Sequence, residues 1–150
     1  MKMTPGLKRA QENMAPGLIT AEGFLGSDTR SLSTILDEDA QVMRRLDLDP
    51  TEVAAKLRHF MEEGRKGLGE PMTVDGEWLV KTDEARGHLA CPWEDGICRK
   101  INVTVERKDT GETLFYTDLS IHLLERHGFL EGRGSFFRLN LESVKHVLKI

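Results

Sequence analysis

The sequence predicts an α+β fold in which N-terminal helices pack on a hairpin-rich antiparallel C-terminal half, all within a single domain. Three observations carry that expectation. Val53, Ala54, Leu57, Phe60 and Met61 recur with helical period, so they share one apolar face. Ile101, Val103 and Val105 alternate with Asn102, Thr104 and Glu106, the pattern of a strand buried on one side. A length of 150 residues suits one core rather than two.

Residues 1–30 are rich in punctuation: Pro5-Gly6, Pro16-Gly17, Gly23 and Gly26. They read as an extended or partly disordered N-terminal arm, ordered only where it packs on the body or on a second subunit. The single α+β domain then spans 31–150. Leu32, Ile35, Leu36, Val42, Met43 and Leu46 outline a first helix, with a break expected near Asp37-Glu38-Asp39. The second is better marked. Asp49 is placed to accept backbone N–H bonds, Pro50 suits the first helical position, Glu52 follows three residues after the cap, and Gly64 is the expected stop.

From Met72 the period shifts to strand. Asp75-Gly76 between Met72-Thr73-Val74 and Glu77-Trp78-Leu79-Val80 signals a tight hairpin, because its turn needs positive φ at both centres. Residues 82–96 read as a loop. A second hairpin joins 101–106 to Thr113–Thr117 through Asp109-Thr110-Gly111. Thr117 or Asp118 caps a short helix that ends at Gly128, so 101–127 forms a ββα unit. A glycine-rich connection, 128–135, leads to a last helix capped by Asn140 and striped by Leu141, Val144, Val147 and Leu148.

Composition narrows function only by exclusion. The chain is 31% charged with a formal net charge of −4, so it lacks the basic footprint of a nucleic-acid binder, and that partner class is disfavoured. No apolar run approaches the roughly 18 residues of a membrane span, and the N-terminus has no signal-peptide core. A cytoplasmic location is therefore expected, with Cys91 and Cys98 reduced rather than bridged.

Residue types that suggest chemistry concentrate in Cys91, Cys98, His122 and His127. Thiolate and imidazole ligands around a small ββα unit are what a tetrahedral zinc ion needs. The order of residues 91–127 partly resembles the ββα zinc finger, and a metal with four protein ligands would be structural. The spacing departs from that pattern. Six residues separate the cysteines and 23 lie between Cys98 and His122, more than the finger uses. Histidines five apart on a regular helix point roughly 140° away from each other. His122 and His127 converge only if the helix tightens or ends at His127, which Gly128 favours.

Two other readings of these residues stay open. They are consistent with buried structural cysteine and capping histidine. Alternatively, Cys91 could be a nucleophile served by a histidine, in an enzyme acting on a phosphate- or carboxylate-bearing molecule. Against the latter, Pro92 supplies no N–H for an oxyanion hole. In the glycine-rich connection, Arg133, Ser135 and Arg138 form a candidate anion-binding set, the alternative being a tight link that lets Phe129, Phe136 and Phe137 pack.

Gly23-Phe24-Leu25-Gly26, Cys91-Pro92-Trp93 and the run from His122-Leu123-Leu124 to Gly134-Ser135 resemble segments of small bacterial proteins of uncharacterised function. That resemblance implies a cytosolic bacterial domain and carries no activity. The functional expectation is accordingly a small non-enzymatic module, possible zinc included, acting through a protein partner or as a homodimer.

Overall fold

A computed structural model describes residues 2–150. Five helices and one four-stranded antiparallel sheet follow in the order α1 (Pro5–Asn13), α2 (Leu32–Arg45), α3 (Pro50–Arg65), β1 (Met72–Val74), β2 (Trp78–Ala90), β3 (Ile97–Arg107), β4 (Thr113–Thr117), α4 (Asp118–His127) and α5 (Leu141–Leu148). The strands lie in chain order as a meander. This is the expected α+β class.

The local signals act where the chain chemistry places them. Asp49 caps α3, its carboxylate accepting from the Thr51 N–H at 2.9 Å, and Pro50 begins the helix. Asp75 and Gly76 both take positive φ, 52° and 72°, at the β1–β2 turn. Thr117 and Ser120 form a reciprocal capping box at the start of α4. Asn140 caps α5.

The main core lies between the sheet and α3, α4 and α5, with Leu57, Phe60, Val80, Val103, Val105, Tyr116, Ile121, Val147 and Leu148 inaccessible or nearly so. Its two large polar-tipped side chains are satisfied internally. Tyr116 donates its hydroxyl to the Leu57 carbonyl at 2.7 Å, and Trp78 donates its indole N–H to the Val147 carbonyl at 2.8 Å. A second apolar cluster joins α1 and α2 to Cys91, Cys98, Leu119, Leu123 and Phe129.

Four expectations change. Residues 5–13 of the expected arm form α1, capped by Thr4, with Ala10 and Met14 buried in the second cluster. The helix forms because Thr4-Pro5 is a cap followed by an N1 proline, and it holds because that face has somewhere to pack. The first long helix is unbroken: α2 runs through Asp37-Glu38-Asp39 to Arg45. Likewise α3 continues past Gly64 to Arg65, since a Cβ at Gly64 would come 2.6 Å from Val80 Cγ1 and the bare Cα is what lets the helix lie on β2.

The fourth change matters most for the site. Residues 82–90, expected as loop, continue β2 and pair with β3 from Trp78↔Arg107 to Ala90↔Ile97, with an irregularity between Ala85 and His88. The stretch from Asp83 to His88 is exposed at every position, so no apolar alternation marks it as strand. Its effect is to carry residues 91–96 to the far end of a long hairpin, beside α4.

The glycine-rich connection is a close backbone crossing. The Gly132 N–H donates to the Phe24 carbonyl at 2.9 Å and the Ser27 N–H to the Arg133 carbonyl at 3.0 Å. A Cβ at Gly132 would sit 2.3 Å from the Leu25 carbonyl oxygen, a backbone atom that cannot swing aside. Gly132→Ala is therefore expected to destabilise the protein by about 2 kcal/mol or more, read as a lowered urea midpoint at unchanged m-value. An unmoved midpoint would show that the 24–27 and 132–135 segments separate at little cost.

Candidate metal centre

The site is built where the end of the long hairpin meets the end of α4. Ala90 and Ile97 form the last ladder pair, so Cys91–Gly96 is the connection. It is closed by the Cys91 N–H donating to the Gly96 carbonyl at 3.0 Å and the Glu94 N–H donating to the Cys91 carbonyl at 2.8 Å. From outside, α1 grips the same turn: Asn13 Nδ2 donates to the Pro92 carbonyl at 2.8 Å, and Arg9 pairs with Glu94 at 3.1 Å. The turn thus presents Cys91 and Asp95 from a fixed backbone.

On the other side, α4 supplies both histidines. His127 is the last helical residue, and Gly128 takes the left-handed conformation (φ 62°, ψ 24°) that ends the helix. The ring centres of His122 and His127 lie 5.7 Å apart. Both rings reach the same carboxylate: His122 Nε2 is 3.0 Å from Asp95 Oδ1, and His127 Nε2 is 2.9 Å from Asp95 Oδ2. Trp93, from the same turn, stacks flat on His127 at 4.0 Å and 5°, and Phe129 meets Trp93 edge-on. Those contacts fix the His127 ring plane.

The electrostatics follow from this enclosure. Cys91 is 1% exposed, and burial, with the Asp95 carboxylate beside it, pushes its thiol up to about 12. Burial opposes ionisation of Asp95 too, but hydrogen bonds from Cys91 and His122 and the fields of both histidines win, holding its carboxyl well below the usual carboxylate range. For His127, burial outweighs the pull of Asp95 and lowers its basicity. Near neutral pH the cluster therefore holds an anionic carboxylate, a neutral His127 imidazole and a thiol.

One ligand-capable atom each from Cys91, Asp95, His122 and His127 lies within 4.8 Å of every other, close enough to hold a metal ion. Three of the four residues expected from the sequence are brought together. Cys98 is not among them: it sits one pair inside the ladder, opposite Leu89, and its side chain belongs to the second apolar cluster. Asp95 stands in its place. The available signal was Asp95 four residues after Cys91 within a short turn, the spacing at which one turn can present two ligands to one side.

Most donors of the candidate anion set are engaged within the chain. The Arg138 fork is taken by Asp39, at 2.7 and 3.0 Å. Ser135 donates its hydroxyl to Glu131 Oε1 at 2.7 Å, and the Arg133 N–H donates to Asp28 Oδ2 at 3.0 Å. The Arg138 and Ser135 side chains thus face carboxylates of their own chain, whereas the Arg133 guanidinium stays 66% exposed, 3.8 Å from Glu38. Of the two readings of this connection, the tight link agrees with the geometry: Phe129 is buried, and Phe137 packs on Phe115 at 5.5 Å.

Comparison with family models, with curated proteins and with solved structures finds no match to this chain. Among the described residues, no helix is long and apolar enough to cross a membrane.

Proposed function

We propose that this protein is a small non-enzymatic module in which a zinc ion, held by Cys91, Asp95, His122 and His127, clamps the β2–β3 turn to the C-terminal end of α4. The convergence of one thiol, one carboxylate and two imidazoles from two separate elements carries this reading. Sulfur, nitrogen and oxygen donors in equal reach suit zinc, which binds all three at about 2.0–2.3 Å. Ligand atoms of a tetrahedron of that size stand roughly 3.3–3.8 Å apart. Changes of up to about 1.5 Å in the separations between ligand atoms would bring the present arrangement to that geometry.

Four protein ligands leave no open position for water, so the metal's role is to hold structure. A thiol pushed up to about 12 is the opposite of an activated nucleophile, which weighs against an enzyme built on Cys91. The module then acts through a surface. The exposed second half of β2, paired only on its β3 side, and the exposed Ile97 beside the site support a protein partner or a second copy as what it meets.

Metal analysis of protein purified without chelator or nickel tests the reading. Wild type is expected to carry about one equivalent of zinc, and zinc at about a hundredfold excess over its dissociation constant is expected to add about 2.7 kcal/mol of stability. Cys91→Ser should lose the metal, whereas Cys98→Ser should keep it. Equal retention in both variants, or none in wild type with no zinc-dependent stabilisation, overturns it.

A further inference from the structure

Apart from the candidate metal centre, the distal hairpin borders a pocket of about 350 Å³, at the small end of the range for small-molecule sites (about 300–1,000 Å³). The 20–24 segment and the 131–137 connection fold over the sheet there. Its wall is mostly apolar and aromatic, with Phe24, Leu89, Ile101, Leu119, Phe136 and Phe137 contributing. Phe136 stands at the mouth, 78% exposed, edge-on to both Phe115 and Phe137.

One ionisable group on that wall is buried. Glu131 is 6% exposed, and its backbone is held at φ 74°, a conformation that costs a non-glycine residue energy and persists only where the surroundings enforce it. Here the Ser135 hydroxyl holds Oε1 and the Arg138 guanidinium holds the Glu131 carbonyl. Oε2 has no donor among the described residues. No fully buried side-chain oxygen or nitrogen there lacks a partner, so Oε2 reaches open space. Glu131 lines this pocket, and the smaller void it also borders has no room for a water.

The remaining charges on the wall are exposed and weaker determinants. Asp83 is paired with Lys81 and Glu84 with Arg65, and the exposed Glu22, Arg99 and Lys100 complete the charged rim. Exposed charges are screened by water and salt, and a buried carboxyl is not. Aromatic faces add a preference of the same sign, since their negative quadrupoles attract cations. We infer that this pocket binds a compact apolar or aromatic molecule bearing a primary ammonium, the body lying among the phenylalanines and the ammonium donating to Glu131 Oε2.

Calorimetric titration with phenethylamine, 2-phenylethanol and 3-phenylpropionate tests this on the full chain. The amine is expected to bind saturably and at least about ten-fold more tightly than the alcohol or the acid, which share its ring and approximate length. Glu131→Gln keeps the acceptor for Ser135 and should erase the amine's advantage. Should that variant not fold, Ala85→Trp, at an exposed strand position on the pocket wall, is expected to abolish amine binding while leaving thermal unfolding unchanged. Tightest binding by 3-phenylpropionate would give the site to Lys100 and Arg99 and overturn the inference. So would absence of saturable amine binding, an amine preference that survives Glu131→Gln, or amine binding indifferent to Ala85→Trp.

Discussion

Arg138→Met is expected to destabilise the protein by about 3–5 kcal/mol, enough to unfold a large fraction of a marginally stable domain. Asp39 lies inside α2 and is 4% exposed. Both of its oxygens face the Arg138 fork at 2.7 and 3.0 Å, across 99 residues of chain. The same guanidinium holds the Glu131 carbonyl. Methionine keeps the unbranched apolar stem of the side chain and removes the guanidinium, so the variant leaves a buried carboxylate without its counter-ion. The penalty arises from that stranded charge, not from any large net worth of the pair. Asp39→Asn in the Arg138→Met background should therefore restore most of the lost stability, measured by urea unfolding as a coupling of opposite sign to the single effect. The same experiment tests the anion site that the sequence suggests. If Arg138 served an external phosphate, added phosphate would raise the wild-type midpoint; with Asp39 in the fork, it should leave the midpoint in place. A substitution cost below about 1 kcal/mol would mean that Asp39 finds water or another donor once Arg138 is gone.

The pair also illustrates what was legible in the sequence. Elements whose signal is local could be read directly: α3 from its cap, N1 proline and apolar stripe, β3 from its alternation, and α4 from Thr117 and Gly128. Cys91, His122 and His127 were legible as a group because soft ligands are few and their order is suggestive. Asp95 was not, since an aspartate between Glu94 and Gly96 reads first as a turn residue. It becomes a ligand candidate only once β2 is known to reach Ala90 and to set the turn beside α4. That strand in turn was hidden by exposure, because Asp83–His88 face water throughout and carry no hydrophobic period. Arg138 reads as an anion ligand in the sequence for a similar reason. Its partner is an aspartate in a helix far away in the chain, and sequence shows the cation without showing which carboxylate is folded against it.

Glu131→Gln is expected to stabilise the protein by roughly 3 kcal/mol at pH 8 and to leave it nearly unchanged at pH 4. Burial pushes the Glu131 carboxyl up from an ordinary 4.5 to about 7, against the lowering effect of the Ser135 hydroxyl. Below 4.5 the group is protonated in both the folded and the unfolded chain, so it places no pH-dependent penalty on folding. Between 4.5 and 7 the unfolded chain releases the proton while the folded chain retains it, and stability falls as pH rises. Above 7 both states are ionised, and the folded chain carries the full cost of a buried charge, about 1.36 kcal/mol for each pH unit between the two values. Glutamine keeps the shape and the acceptor for Ser135 and has no charge to bury. Asp28 and Asp95, both held well below the usual carboxylate range, act with the opposite sign and in another window, withdrawing stability as pH falls through the acid range. His127, whose basicity is lowered, likewise withdraws stability as pH falls below its ordinary 6.5. Those contributions are common to wild type and variant, so the difference between the two unfolding curves isolates Glu131. Urea unfolding at pH 4, 5, 6, 7 and 8 should show that difference growing from near zero and levelling off above 7. Curves that run parallel across the whole range would mean that Glu131 ionises as readily folded as unfolded, and that Oε2 meets bulk water and not an apolar pocket.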